Sequence, residues 1–180
     1  YADVTADDFV FGAEWILTPA NESDNVDTLA NVIVNAKEYF DGTVTDFAEV
    51  GVKALDEHTL QYTLKDTCPY FLSMMTYVAF MPANRQFVEE CGEYYGTSND
   101  TLLYNGAYYC TSWEPQNELV MERNDNYWDA ENVSIKTVYG KYNAEAEALA
   151  PEMYLRGEID EATIPVEILD SWMNDPEKQN

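Results

Sequence analysis

The segment 104–128 constrains the fold most, because its residues alternate between two faces on either side of a short polar turn. It reads YNGAYYCTSWEPQNELVMERNDNYW. A period of two residues, with many aromatic and β-branched side chains, predicts a β-hairpin with a loop of about four residues at 114–117. We expect Trp113 and Trp128 to bury large aromatic surfaces. One face of the first strand is expected to carry Ala107, Tyr109, Thr111 and Trp113.

Two helices and a second hairpin are predicted before residue 70. Thr5 and Asp8 have the spacing of a capping box, which predicts a helix that starts after Thr5 and stops at Pro19. Apolar residues recur at helical spacing over 26–42, which predicts one continuous helix ended by Gly42. Alternating residues then predict a hairpin, with strands near 49–55 and 59–65.

Helices and strands continue to alternate after residue 70. Further helices are predicted near 70–77, 82–91 and 144–155 and from Pro165 onward. Short strands are predicted near 79–81, over 135–142 and at Ile159. Pro151 is expected to break or kink the helix in which it lies, because proline lacks an amide hydrogen. The predicted class is α+β, a mixture of helix and sheet.

The charge of the chain limits its partners. Its 180 residues include 34 Asp and Glu against 9 Lys and Arg, which gives a formal net charge of −25. Such a field repels phosphate backbones and anionic lipid, so we exclude nucleic acid as a partner and docking on a membrane by charge. We find no apolar run of the roughly 18 residues that a membrane span needs, and no signal-peptide pattern.

The residues able to do chemistry do not follow a catalytic or metal-binding pattern. We find no GxSxG, glycine-rich phosphate loop or HExxH motif. Cys68, Cys91 and Cys110 lack zinc-site spacing, and His58 is the only histidine, in a predicted turn. One disulfide with a free thiol and three reduced cysteines both fit. We predict no enzyme activity, metal or cofactor; a secreted acidic hydrolase and a structural surface module are the alternatives of other classes.

Five blocks of the sequence, taken in order, carry a resemblance to a known family. The blocks are VTADDFV at 4–10, GVKALDEHTL at 51–60, PYF at 69–71, NGAY with LVMERNDNYW inside 104–128, and RGEID at 156–160. In this order they resemble stretches of the extracellular solute-binding proteins of the peptide/nickel family (family 5). These proteins are the receptors of peptide-importing ABC transporters, and the oligopeptide-binding branch is the most similar.

The resemblance implies a fold and an arrangement of domains. Family members have two α/β lobes, of the periplasmic-binding-protein type II kind, that close over an extended peptide. Residues 1–100 would form the smaller helix-and-hairpin domain, with a boundary in the Gly/Ser/Asn-rich stretch 94–100. Residues 101–180 would form part of the main ligand-binding lobe. The chain looks like an internal piece of a longer receptor, so we expect it to bind peptide weakly or not at all by itself.

The resemblance also implies a function and partners. The receptor would capture oligopeptides at the cell surface or in the periplasm and deliver them to the permease subunits of an ABC importer. A lipid anchor outside this chain would hold it to the membrane. The alternative within the family is a receptor for nickel complexes, sugars or opines.

Three residues are candidates for the site. A tyrosine that contacts the ligand in the oligopeptide-binding branch falls on Asn25, where asparagine lacks the ring and the hydroxyl. Asn105 and Gly106 stand where the chain is expected to pass between its two substructures. A hinge there is one interpretation, and an ordinary turn is the other.

Overall fold

In a computed structural model, which describes residues 2–175, the chain begins with helix α1 (Ala6–Leu17). The predicted capping box is present: the amide and the hydroxyl of Thr5 donate to Oδ2 of Asp8 at 2.7 and 3.0 Å. The amide of Ala6 donates to the carbonyl oxygen of Glu57 at 2.9 Å. The segment at Glu57 therefore also stabilises the start of this helix.

The single helix predicted over 26–42 is wrong, because the chain forms two short helices, α2 (Val26–Ala30) and α3 (Ala36–Phe40). Between them, Ile33 forms an isolated antiparallel bridge with Leu64. Asn35 then adopts a left-handed conformation with φ of 59°. The bridge to Leu64 takes the backbone at Ile33 out of the helical conformation, although the apolar spacing continues.

The predicted hairpin forms from shorter strands, β1 (Val52–Asp56) and β2 (Thr59–Tyr62). Just before β1, Gly51 allows its own backbone to contact the backbone at Val34 and at Thr63. The amide of Gly51 donates to the carbonyl oxygen of Val34 at 2.9 Å, and the amide of Thr63 donates to that of Gly51 at 2.7 Å. A Cβ at residue 51 would lie 2.5 Å from the Thr63 carbonyl oxygen, so only glycine fits without movement.

Two further helices follow the hairpin, α4 (Phe71–Met74) and α5 (Arg85–Cys91). The strand predicted near 79–81 is wrong, because Val78–Phe80 is a 3₁₀ turn closed by local hydrogen bonds. Helix α5 begins later than predicted, where the side chain of Asn84 accepts from the amide of Phe87 at 3.0 Å. The other 3₁₀ turns are Pro19–Asn21, Phe47–Glu49, Gly92–Tyr94, Asn99–Thr101 and Ala130–Asn132.

The core of this first part lies between α1, α2, α3, the hairpin and the 78–80 turn. Tyr62, Phe71 and Phe80 pack edge to face, with ring centroids 5.4 to 5.8 Å apart. Burial raises the pKa of Tyr62 to about 12. The buried apolar cluster consists of Ala13, Ile16, Leu17, Leu29, Ala30, Ile33, Ala36, Val50, Val52, Ala79 and Phe80.

The organising hairpin of the sequence is present as strands β3 (Tyr108–Glu114) and β4 (Glu118–Arg123). Strand β5 (Thr137–Lys141) pairs with β4, so the three strands form an antiparallel sheet in the order β3-β4-β5. The loop has three residues rather than four, with φ of 60° at Gln116.

The expectation that Ala107, Tyr109, Thr111 and Trp113 share one face of the strand is wrong, because β3 contains a β-bulge at Thr111. Cys110 pairs with Met121 and Ser112 pairs with Val120, so the register shifts by one residue at Thr111. Because one extra residue reverses the alternation, Trp113 pairs with Leu119, on the face that carries Met121. Trp113 is 40% exposed and Trp128 is 83% exposed, so the expected burial of both rings is also wrong.

Two helices follow the sheet, α6 (Ala146–Leu155) and α7 (Val166–Met173). Helix α6 continues through Pro151, which is fully buried, so the expected break does not occur. The strand expected at Ile159 is wrong, since residues 158–165 form neither helix nor strand. Contacts divide the chain into two compact units, Tyr1–Leu103 and Tyr104–Asn180. Their assignment as smaller domain and part of the main lobe stays a prediction.

Candidate functional site

A pocket lies in the first unit, where helix α1 meets the segment 78–83. Gly12 allows this approach, because a Cβ there would lie 2.7 Å from the carbonyl oxygen of Met81. The amide of Ala83 donates to the carbonyl oxygen of Asp8 at 3.0 Å, which holds the segment along the helix. Gly12 thus allows the short distance between helix α1 and the segment 78–83, which form two walls of the pocket.

This pocket, which we call the α1 pocket, has a volume of about 170 Å³. Most of its lining is apolar, and its polar side chains come from the loop before α2 and from Tyr95. The lining residues are Gly12, Trp15, Ile16, Ser23, Asn25, Val78, Met81, Pro82, Ala83 and Tyr95.

Two aromatic side chains form one side of the α1 pocket. The rings of Trp15 and Tyr95 pack edge to face with centroids 5.7 Å apart, and Phe87 supports Tyr95 at 6.5 Å. Burial, followed by the nearby thiol of Cys91, raises the pKa of Tyr95. The phenol therefore stays neutral at physiological pH and can offer a hydrogen bond but no charge.

Asn25, the candidate taken from the resemblance, lies in this pocket beside Ser23. Its backbone amide donates to Oγ of Ser23 at 3.3 Å. Asn25 is the N-cap residue of α2, but its side chain makes no capping hydrogen bond there. Because the side-chain amide has both a donor and an acceptor, it can bind a peptide group of a ligand.

The sequence model of the bacterial extracellular solute-binding proteins, family 5 Middle, matches residues 2–180. The chain belongs to this family. The resemblance stated from the sequence is thereby confirmed.

Individual members of family 5 match most of this chain. The oligopeptide-binding protein AmiA of Streptococcus pneumoniae is 37% identical over 140 residues, which are 77% of this chain and 21% of AmiA. The oligopeptide-binding protein SarA of Streptococcus gordonii is 32% identical over 167 residues, which are 91% of this chain and 25% of SarA. The chain spans about a quarter or less of the length of these curated relatives.

A solved structure confirms the predicted fold class for this family 5 chain. The crystal structure of a periplasmic oligopeptide-binding protein, OppAIV from Borrelia burgdorferi, matches with a TM-score of 0.83 and 29% identity. The match covers 97% of this chain and 35% of that one. The mixture of helix and sheet is therefore that of a periplasmic binding protein of the oligopeptide-binding kind.

The two hinge candidates of this family 5 chain lie at the start of the second unit, whereas Asn25 belongs to the first. The side-chain amide of Asn124 donates to the carbonyl oxygen of Gly106 at 3.0 Å. The backbone amide of Asn124 donates to the carbonyl oxygen of Ala107 at 2.8 Å. A Cβ at Gly106 would meet no described heavy atom within 4 Å. The role of Asn105 and Gly106 as a hinge stays a prediction.

Other candidate groups are dispersed in this family 5 chain. His58 is exposed in the β1–β2 turn, where its amide donates to Oδ1 of Asp56 at 2.9 Å and lowers the pKa of that carboxyl. The three cysteines are free and partly exposed. Over residues 2–175, no three His, Cys, Asp or Glu side chains are grouped so that they could hold a metal ion. None of the helices described there is both long and apolar enough to span a membrane.

Sequence reasoning missed Gly12, Trp15 and Tyr95, which shape the pocket of this family 5 member. A glycine inside a helical pattern was the available signal, since it marks a close approach of another segment. The pairing of Trp15 with Tyr95 had no such signal, because the two residues lie far apart in the chain.

Proposed function

We propose that the gene product containing this chain captures oligopeptides outside the membrane and delivers them to the permease of an ABC importer. The observation that carries the proposal is the match to OppAIV, which is a periplasmic oligopeptide-binding protein of an oligopeptide ABC transporter. It extends over nearly the whole chain and both of its units. AmiA and SarA, which are oligopeptide-binding proteins, support the same ligand class.

The chemistry of the α1 pocket favours binding without turnover. Trp15 and Tyr95 supply aromatic surface, while Asn25 and Ser23 supply neutral hydrogen-bonding groups. Peptide receptors combine such groups with hydrogen bonds to the ligand backbone, so that many sequences can bind. We therefore assign the gene product a receptor role and no hydrolytic activity.

The receptor would work at the cell surface or in the periplasm, and membership of a family of extracellular solute-binding proteins supports this location. The net charge of −25 on residues 1–180 opposes adsorption of this part of the receptor on anionic lipid, so its contact with the membrane would require another attachment. A covalent lipid anchor outside residues 1–180 would supply it, and the permease subunits would be the protein partners.

Isothermal titration with mixed short peptides tests the proposal. We expect the complete gene product to bind peptides, and not nickel chelates, sugars or opines. The 180-residue chain alone should bind weakly, because association costs about 4–15 kcal/mol and much of a two-lobed cleft would be missing. Micromolar or tighter binding by the chain alone would contradict that expectation, and absence of peptide binding by the complete gene product would contradict the function.

A second measurement tests the absence of catalysis. Peptide, ester and glycoside substrates should remain intact after long incubation with the purified protein. Turnover that survives repurification and disappears when one acidic residue is replaced would show that the protein is an enzyme.

A further inference from the structure

The α1 pocket has the size of one aromatic ring. Its volume is about 170 Å³, and apolar protein cavities of about 150 Å³ hold one benzene molecule. A third ring placed beside Trp15 and Tyr95 would extend their edge-to-face arrangement, which aromatic side chains prefer at centroid distances of about 4.5–7 Å.

The outer wall of the pocket is apolar and accessible. Val78 is 66% exposed and Met81 is 45% exposed, although both line the pocket. Burying these side chains under a ligand removes apolar surface from water, which stabilises the complex. The polar groups of Ser23 and Asn25 leave hydrogen-bonding atoms beside this apolar surface.

The surroundings of the pocket are negatively charged. Exposed Glu22 and Asp24 stand on either side of Ser23 in the sequence. The first unit carries 18 carboxylate side chains against four Lys and Arg. Arg85 pairs with Glu14 at 2.6 Å, and Lys37 and Lys65 are paired with carboxylates as well. The net field therefore attracts a cationic ligand.

We infer that the α1 pocket is a side-chain subsite that binds one aromatic ring of a cationic peptide. This inference rests on the proposed function and narrows its ligand class. The ring of the peptide fills the space between Trp15 and Met81. The side-chain amide of Asn25 forms a hydrogen bond with a peptide group of the ligand. Glu22 and Asp24 attract the basic residues next to the ring.

The test is isothermal titration of the complete gene product with pentapeptides of alanine and lysine. In each peptide one alanine is replaced by phenylalanine, one position at a time. At one position or more, phenylalanine should raise affinity about 10- to 100-fold, the range expected for filling an apolar pocket. Ala83→Leu, which fills the pocket, should reduce that preference to about threefold or less.

Two variants keep the result interpretable. Val78→Ser changes an exposed position of the wall, so it should fold normally and weaken the same preference. Leu72→Ala changes a side chain that is 80% exposed outside the pocket, and it should leave every preference unchanged. A phenylalanine preference that survives both Ala83→Leu and Val78→Ser would overturn the inference and leave the receptor function intact.

The charge of the ligand is tested with glutamate in place of lysine. The acidic peptides should bind at least about tenfold more weakly at low salt, and the gap should narrow as salt screens the field. The double substitution Glu22→Gln and Asp24→Asn should also reduce the difference in affinity between the lysine and the glutamate peptides. Equal affinity for both sets would overturn the cationic assignment. If no peptide of any set binds, the proposed function itself fails.

Discussion

Gly12→Ala should destabilise the protein although alanine is the better helix former. In a helix interior, alanine is favoured over glycine by about 1 kcal/mol. At residue 12, however, the new Cβ would lie 2.7 Å from the Met81 carbonyl oxygen, about 0.7 Å inside the 3.4 Å at which ordinary contact begins. The obstacle is backbone, held by the hydrogen bond from Ala83 to Asp8.

Overpacking of this kind costs about 1–3 kcal/mol, which exceeds the gain in helix propensity. We expect a net loss of about 1 kcal/mol, or a fall in Tm of about 2–4 °C for a chain of this size. Thermal and urea unfolding followed by circular dichroism measure it. Gly106→Ala is the matched control, because its Cβ enters open space at a residue without positive φ. That control should be neutral or stabilising by about 0.4–1 kcal/mol. A Gly12→Ala protein as stable as the control would refute the close approach that forms the α1 pocket.

Three further outcomes are expected. Burial raises the pKa of Tyr62 from its usual value of 10.0 to about 12, so the folded state keeps a proton that the unfolded state loses. The free energy of unfolding should therefore fall as pH rises from 10 to 12. Tyr62→Phe should remove part of that fall in unfolding measured across this range, and an unchanged profile would contradict the burial. Asp8→Ala should cost about 0.5–2 kcal/mol through loss of the capping box, whereas Asp7→Ala on the same turn should cost less in the same urea titration. Trp128→Ala should change the stability of the 180-residue chain by no more than about 0.5 kcal/mol, since the ring is 83% exposed, and a larger loss would show that it is packed.

Features fixed by neighbouring residues could be predicted from the sequence, and those fixed by distant residues could not. Thr5 and Asp8 are three positions apart, so the capping box is visible in the sequence alone. The break between α2 and α3 depends on the bridge from Ile33 to Leu64, which the apolar period does not reveal. The bulge at Thr111 likewise follows from pairing with β4 and changes the face of Trp113.

The candidate site divides in the same way. Asn25 was nominated only through the resemblance, and the structure places it in the α1 pocket. The pocket itself needs Trp15, Met81 and Tyr95 together, and three elements distant in sequence bring them there. Periodicity identifies the buried face of α1, but it does not show which segment packs against Gly12.

The hydrogen bond from the Ala6 amide to the Glu57 carbonyl oxygen has a consequence for deuterium exchange. The first amides of a helix normally have no partner within the helix and exchange quickly as its end frays. Here the amide of Ala6 is protected by the β1–β2 turn instead of by its own helix. Its exchange rate therefore reports how often the hairpin separates from α1, and a single backbone position becomes a probe of the docking of one element on another.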